Sequence, residues 1–504
     1  MDKDTAIDVA LVGAGPVGLF LARELTRHGH RVRLFEQRAQ QSEHSKALAI
    51  MPRTMEIFEL AGTVAPFEVA ANRVTAASIV SHQHELGTIP FAPQESHYRY
   101  VAMVPQDVTE RILLDALLAA GGRVEYETTL VDLERREDGA TLVLRGAAGE
   151  ERCEARYVVG CDGAHSSVRH LLDFPFEGAE YQQTFVLIDA ETTGDDRANV
   201  MQLCPHELGP IAVFPMSARR RRLVAAVAPD FKGEPTLELA NALLAERGPK
   251  GLRAESLVWA STFRVQHRQT PSMRIGCVFL AGDASHIHSP FGAQGMNTGL
   301  QDAWNLSWKL DYVLKGWGTD TLLESYSLER HAIAKRVIAV TDALTRAMST
   351  PSAIAQAARN VAIPLLTRFE PFRHLFVSNL SELGISLAGS PIVAGAGRRA
   401  PDDLVRTTAG EARTYEVLAG RYLVICPAGA DALTKAARAL ATEFSDAVRV
   451  CIAASADERD LRLVRPDAYV AFENAGGRGE SAIADLRRLL ATHLASNPGA
   501  ATTA

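Results

Sequence analysis

Residues 279–302 read Phe279-Leu280-Ala281-Gly282-Asp283-Ala284-Ser285-His286-Ile287-His288-Ser289-Pro290-Phe291-Gly292-Ala293-Gln294-Gly295-Met296-Asn297-Thr298-Gly299-Leu300-Gln301-Asp302. A short apolar run ends on an acid, a Pro/Gly turn follows, and a helix opens at Gly295-Met296-Asn297. Its counterpart stands far upstream, at Gly13-Ala14-Gly15-Pro16-Val17-Gly18. The glycine turn specifies an α/β unit, and the later stretch offers that unit an acid and a helix N-terminus.

Around the glycine turn the order of elements is legible. Ile7–Val12 reads as a buried strand, about Val17 to His28 as a helix ended by Gly29, and Arg31–Glu36 as the next strand. Gly13 permits the tight turn, Gly15 lets backbone approach a pyrophosphate, and Gly18 lets helix and strand pack closely. Pro16 opens the helix, whose free amides and dipole favour phosphate. Glu36, followed by Gln37, closes the unit and would accept hydrogen bonds from adenosine ribose hydroxyls. An acid there disfavours a 2′-phosphate, so the turn suits FAD or NAD rather than NADP.

The chain of 504 residues is long enough for two to four domains, and its 47% hydrophobic and 22% charged content is that of a globular protein. The net charge of -7, from 60 acidic against 53 basic residues, gives no footprint for nucleic acid. The 6 cysteines are scattered without a Cys-x-x-Cys pair, which predicts buried free thiols in a reduced, cytoplasmic setting. The run Ile7–Val12 falls far short of the ~18 residues that span a bilayer, and no cleavage pattern follows it, so neither membrane nor export is expected.

Farther along, Asp107–Ala120 reads as an amphipathic helix preceded by Gln106, and residues 123–159 as strands with a turn at Glu137-Asp138-Gly139. Residues 181–230 and 257–266 are strand-rich. Arg219–Arg222, between two strands, reads as a solvated hairpin tip, with docking of a cofactor phosphate as the sharper alternative. From Asn297 to about Leu344 the pattern is helical, with Trp304, Leu306, Trp308 and Leu310 as core. Gly, Ala and Pro crowd residues 388–402, and an α/β module of about 100 residues follows: strand Tyr422–Cys426, helix Asp431–Phe444, strand Val448–Ile452, an alternating segment Leu461–Phe472 and helix Ser481–Leu494.

Three motifs carry a resemblance: Gly13-x-Gly15-x-x-Gly18; Cys161-Asp162-Gly163-Ala164-His165-Ser166-Ser167-Val168-Arg169; and Gly282-Asp283 through His286, Pro290 and Gly292-x-x-Gly295-Met296-Asn297. Together they resemble the FAD-dependent aromatic hydroxylases, the group A flavoprotein monooxygenases of the p-hydroxybenzoate hydroxylase class. The chain is most similar to the phenol, hydroxyphenylpropionate and aromatic polyketide hydroxylases with a thioredoxin-like C-terminal domain. The resemblance implies an α/β fold: a Rossmann-like FAD-binding domain with an inserted β-rich substrate domain and a C-terminal thioredoxin-like domain. The expected division is 1–180 for FAD binding, with 76–100 joining the substrate domain, 181–271 for the substrate sheet, 272–395 for the FAD-binding continuation and helices, and 396–504 for the thioredoxin-like domain.

The same resemblance implies non-covalent FAD, NADPH or NADH as reductant, and O2 with a phenolic or polyketide-type aromatic as substrates. Hydroxylation would pass through a flavin hydroperoxide in a monomer or homodimer that engages neither nucleic acid nor membrane. Baeyer–Villiger or other oxidative tailoring of a polycyclic metabolite is the alternative on the same fold, and a flavin-binding protein without turnover is the alternative outside it. Implied cofactor contacts are Asp283 at the ribityl chain or pyrophosphate, Asp162 and Gly163 in the second motif, Gln106 after Val104-Pro105, and Leu130 through its backbone at adenine. Pro290 and the amides of Gly295, Met296 and Asn297 would lie beside the ring. Lys46 stands where the family carries arginine, keeping the charge but losing the bidentate fork. No acid or base is demanded, because the cofactor carries the hard chemistry. His286 and His288 near the flavin loop are candidate bases, and His82, His84, His97 and Tyr98 lie in the expected substrate region. Pocket walls are expected from strands near 181–270 and loops near 46–55 and 82–100.

Overall fold

The computed structural model describes residues 7–42, 45–92, 95–288, 292–349, 352–474 and 479–497. The strand Ile7–Val12 lies at the centre of the first sheet, with Val32–Phe35 and Gly149–Gly160 parallel on its two sides. Val278–Leu280 adds in parallel beyond Gly149–Gly160, and Val124–Glu125 closes the other edge. Near-continuous apolar runs suit such strands, because both faces are covered. The hairpin Thr129–Arg136/Gly139–Gly146 extends from Gly149–Gly160, turning at Glu137-Asp138 as the sequence predicts. Helices Pro16–Arg27, Gln106–Ala119 and Gly295–Leu314 pack Leu19, Leu25, Leu113, Leu300 and Trp304 into one core with Val9 and Leu11 of the central strand.

The second sheet has 8 strands built around the long antiparallel pair Glu177–Thr193 and Arg253–Gln269. Arg220–Val227, Ile211–Pro215 and Val200–Cys204 follow in order, and the hairpin Ala76–Ser81/His84–Pro90 completes it. The short strand His286–Ile287 pairs with Arg268 and Gln269, so the later flavin-type motif reaches into this sheet. Helix Leu237–Arg247 covers one face through Leu243 and Leu244, which pack with Val186, Ile188 and Leu223.

The helical stretch predicted from Asn297 to Leu344 is two helices, Gly295–Leu314 and Asp320–Met348. The break falls at Gly316, whose φ of 75° ends the first helix. Trp304, Leu306, Trp308 and Leu310 are buried, as predicted.

In the C-terminal module, parallel strands Tyr422–Cys426 and Val448–Ala453 are joined by helix Asp431–Thr442. The alternating segment resolves into antiparallel strands Leu461–Val464 and Val470–Asn474, and helix Gly479–Ala491 follows. These elements fall where the sequence places them, and a hairpin Leu404–Thr407/Gly410–Arg413 is added at the edge. A buried cluster holds this module to the helices. Glu329 accepts from Lys309 Nζ at 2.7 Å and from Arg465 Nη1 at 2.6 Å, and Arg465 also pairs with Asp467.

The four-arginine run corrects the reading of a solvated tip. The turn ends at Arg219 and the strand begins three residues before Leu223, so of the four only Arg219 is exposed, whereas Arg221 and Arg222 lie inside strand Arg220–Val227, each 1% exposed. Arg221 donates to Thr192 Oγ1 and the Asp195 carbonyl, and Arg222 pairs with Asp189.

Candidate active site

Val12, Gly160 and Leu280 are in register across three parallel strands, so the three motifs leave the sheet side by side. Carboxyl ends of such strands are where α/β sheets bind ligands. The glycines let the motifs touch. A Cβ on Gly18 would stand 1.9 Å from the Gly13 carbonyl oxygen, and one on Gly13, at φ +100°, would stand 2.5 Å from the Cys161 carbonyl oxygen. Gly282 and Gly299 close the third side, a Cβ on Gly299 falling 2.8 Å from Val17 Cγ2. Gly15 differs: nothing lies within 4 Å of where its Cβ would be. The turn is therefore packed at Gly13 and Gly18 and open at Gly15.

Glu36 is 6% exposed and accepts from the Ala14 amide at 2.9 Å and the Arg38 amide at 3.0 Å. Burial alone would raise its carboxyl; the Arg38 guanidinium and these amides outweigh that and hold it below its ordinary value. Gln37 is exposed beside it, and the Thr128 amide bonds the Glu36 carbonyl, so the chain just before Leu130 borders the same corner. The Leu130 side chain is buried with Val12 and Phe35.

Lys46 is exposed, and its segment is clasped from two sides. Gln106 takes the Ala47 amide on Oε1 at 3.0 Å and donates its own amide to Ser45 Oγ at 2.8 Å. Arg222 Nη1 reaches the carbonyls of Lys46 and Ala47.

Asp162 Oδ2 accepts from the amides of Ser167 and Val168, capping helix Ser167–Leu171, while Oδ1 is buried without a partner. Arg169 of the same motif donates to the Ala284 carbonyl and so ties the second motif to the third. Asp283 is exposed, yet the surrounding protein pushes its carboxyl up, with His286 and Lys46 pulling it down. Next to it, Asp302 accepts from the Gly282 amide, His286 Nε2 at 2.8 Å and Arg330 Nε at 2.6 Å. Burial works against that charge, and Arg330 and His286 prevail, holding the carboxyl low.

At the opening of helix Gly295–Leu314 the first intrahelical bond runs from the Thr298 amide to the Gln294 carbonyl. The amides of Gly295, Met296 and Asn297 thus have no intrahelical acceptor. Asn297 is fully buried and fixes the helix start, taking the Met51 amide and donating to the carbonyls of Ala49 and Ala293.

An apolar cavity of ≈ 230 Å³ meets this helix start at Gly292, Ala293 and Gln294. Met51, Met201 and Phe214 wall it on the sheet side, and Leu344, Phe372 and Phe376 on the side of helices Asp320–Met348 and Glu370–Leu380. Its polar lining is Gln294, Thr341 and Asn379, and among the described residues no lining side chain is charged.

The chain matches the FAD binding domain family over residues 6–341 and the aromatic-ring hydroxylase C-terminal family over residues 394–496. It belongs to the FAD-dependent aromatic-ring hydroxylases. It is 32% identical to a rifampicin monooxygenase of Streptomyces venezuelae, across 92% of this chain and 95% of that one. It is also 32% identical to the 12-dehydrotetracycline 5-monooxygenase/anhydrotetracycline 6-monooxygenase of Streptomyces rimosus, across 95% and 98%. Among solved structures, the OxyS anhydrotetracycline hydroxylase of Streptomyces rimosus superimposes with a TM-score of 0.80 at 29% identity, covering 96% of this chain and 99% of that one. Aklavinone-11 hydroxylase, solved with FAD and aklavinone, gives 0.78 at 25% identity, covering 97% and 99%. The protein is an FAD-dependent monooxygenase.

Several expected residues of the hydroxylase fall together, and several do not. Pro290 lies outside the described residues. His286 is 1% exposed against Asp302 and does not line the cavity, while the His288 ring sits beside Gly295, 3.7 Å from where its Cβ would be. His82 lies by His206 and Glu207 at the sheet edge, His84 is exposed, His97 faces Asp402 and Tyr98 packs with Tyr100, so none of the four lines the cavity. The walls come from residues 49–51 and the strands at 200–215 as expected, but the loop at 82–100 does not contribute and the helices at 340–348 and 372–380 do. Arg38, Arg222 and Arg330 were missed as organising residues. Arg222 stood out only as part of the four-arginine run, Arg330 is an ordinary arginine in its local pattern, and the position of Arg38 two residues after Glu36 could have drawn notice.

Proposed function

We propose that this hydroxylase holds FAD along the three aligned motifs and uses NADPH or NADH and O2 to hydroxylate an uncharged, flat, polycyclic aromatic in the apolar cavity. The observation that carries the reading is the meeting of an uncharged cavity of ≈ 230 Å³ with the open N-terminus of helix Gly295–Leu314.

The residues fit the dinucleotide. Gly13, Gly15, Pro16 and Gly18 would receive the pyrophosphate, because only Gly15 leaves the approach open. Glu36 and Gln37 would take the adenosine ribose, with Leu130 backbone at adenine. Lys46 and Gln106 would hold the opposite edge, and Asp162 with Gly163 and Asp283 the ribityl side; the unpartnered Asp162 Oδ1 and the outward Asp283 carboxyl are acceptors suited to hydroxyls. When bound, FAD supplies the redox chemistry: it accepts a hydride from the nicotinamide and activates O2 to deliver one oxygen atom to the ring.

This chain's own part is positional and electrostatic. The amides of Gly295, Met296 and Asn297 aim donors and a helix dipole at negative charge on the ring system. Met51, Phe214 and Phe372 exclude water, which protects reactive species from wasteful decay. Gln294, Thr341 and Asn379 orient the substrate through hydrogen bonds. Relatives named for rifampicin and anhydrotetracycline support a polycyclic occupant.

The test is anaerobic addition of NADPH, then NADH, to the FAD-loaded protein with a panel of phenols and polycyclic aromatics. Bleaching of the flavin that one polycyclic compound accelerates is the expected result. A flavin that neither nicotinamide reduces, with any compound present, refutes the reading. Asp283→Ala, purified beside the wild type, is expected to carry little FAD.

A further inference from the structure

Glu382 combines three costs that packing alone does not recover. It is 2% exposed, its φ of 61° is a left-handed conformation that favours glycine, and Oε1 is buried without a hydrogen-bond partner. Its other oxygen accepts from Gln301 Nε2. Burial pushes the carboxyl up to about 8, against the pull of Arg330, Gln301 and Thr298. Arg330 faces it from helix Asp320–Met348 but is already committed to Asp302 and the Thr298 carbonyl. Asp302, on helix Gly295–Leu314, adds negative charge that keeps the proton on.

Glu382 lines a second cavity of ≈ 220 Å³, with Arg336, Ser378 and Ser386. This cavity shares Gln294 and Asn379 with the apolar one, so the two chambers abut at those side chains. Val340 lines both as well; in this shared wall Gln294 Nε2 donates to the Asn379 carbonyl, and Arg336 donates to Asn379 Oδ1. The inner chamber is apolar, with no charged lining side chain among the described residues; the outer one sets two serine hydroxyls, two amides, a guanidinium and the Glu382 carboxyl among five aliphatic side chains.

We propose that the outer chamber is a second subsite of the substrate pocket, in which Glu382 hydrogen-bonds an uncharged hydroxyl or carbonyl substituent borne by the ring system in the apolar chamber. The assignment rests on the apolar cavity being the substrate site. A hydroxyl can both donate and accept, so it satisfies the free carboxyl oxygen in either protonation geometry. A methyl group would leave that oxygen unpaired, and a carboxylate would have to shed its hydration to enter the largely apolar chambers.

The experiment is an equilibrium titration of the FAD-loaded protein, without reductant, read by perturbation of the flavin absorbance. The probes share one ring system, 1,8-dihydroxyanthraquinone, and differ at carbon 3: methyl, hydroxymethyl or carboxylate. Wild type is expected to bind the hydroxymethyl compound at least tenfold tighter than the other two. Glu382→Leu is expected to bring the hydroxymethyl and methyl compounds to parity. Glu382→Gly guards against misfolding, since glycine relieves the positive φ; it is expected to match or exceed the wild-type melting temperature while losing the preference. Binding of the methyl compound with no preference in wild type, or a preference that survives in both variants, overturns the subsite alone. Binding of none of the three overturns the subsite together with the reading of the apolar cavity.

Discussion

Arg222 donates through Nη1 to the carbonyl oxygen of Lys46 at 3.1 Å, joining residues 176 positions apart. The other edge of the guanidinium is fixed by Asp189, Nε to Oδ1 at 2.7 Å and Nη2 to Oδ2 at 2.9 Å. The substrate sheet is thereby stitched to the segment that carries Lys46, and Gln106 clasps that segment from behind. A charged donor on a carbonyl is a strong bond in a buried setting, so the segment is placed by the sheet.

Arg222→Lys should fold and weaken FAD binding by roughly tenfold, because lysine keeps the charge for Asp189 but cannot also reach both carbonyls. Arg222→Leu should instead cost about 3–5 kcal/mol of stability, since it strands a buried Asp189 carboxylate. Quenching of FAD fluorescence on titration measures the first, and chemical denaturation the second. Wild-type FAD affinity in Arg222→Lys would show that the segment holds its place without the sheet.

Gly15→Ala and Gly18→Ala should separate binding from folding. The Gly18 Cβ would meet the Gly13 carbonyl at 1.9 Å, so that variant should be unstable with or without FAD. The Gly15 Cβ meets no atom within 4 Å, so that variant should melt like wild type without FAD and show a smaller rise when FAD is added. Melting curves of both variants, with and without FAD, decide it.

Much of this was written in the local sequence. The glycine turn announced its strand–helix–strand unit because each step has a backbone reason, and the C-terminal elements showed in their periodicity. The cavity was half legible. Walls were expected from the loop near 46–55 and strands near 181–270, which hold Met51, Met201 and Phe214, whereas Leu344, Phe372 and Phe376 sit on helices whose apolar faces look like those of any core helix. The arginine run was misread because the strand starts three residues early and draws Arg221 and Arg222 into the sheet, where Thr192, Asp195 and Asp189 meet them. Long-range clamps such as Arg222 to Lys46 leave no trace in local pattern.

The C-terminal module should depend on Glu329. Its carboxylate, held well below the ordinary range against burial by Arg465 and Lys309, also accepts from Asn305 and Ser390. Glu329→Leu would leave two buried cations facing each other, at a cost of about 3–5 kcal/mol. Protease cleavage between residues 386 and 398 should accelerate in that variant. Wild-type resistance there would place the docking energy in the apolar contacts of Tyr312 and Tyr422 instead.

Stability should fall as the solution is acidified below about pH 6.5, with His493 as a main cause. The ring is fully buried between Tyr422, whose hydroxyl lies 2.9 Å from Nε2, and Thr492, 2.9 Å from Nδ1. Burial, with Arg465 and Lys309 adding to it, lowers its pKa from 6.5 to about 3. The unfolded chain therefore takes up a proton that the folded chain refuses, so stability is complete above about 6.5 and declines as pH drops towards 3. The slope is ~1.4 kcal/mol per pH unit, or ~2 kcal/mol lost by pH 5. His28, lowered to about 4 chiefly by burial, acts with the same sign, whereas Glu382, raised to about 8, opposes both down to about pH 4.5. Asp302, Asp311 and Glu329, all held low, add their share below about pH 5, where unfolded carboxylates begin to protonate. His493→Gln cannot take up the proton, so denaturation between pH 5 and 7 should show an average slope flatter by ~1 kcal/mol per unit. An unchanged slope would mean that His493 is protonated within the fold, and the acid sensitivity would then rest on His28.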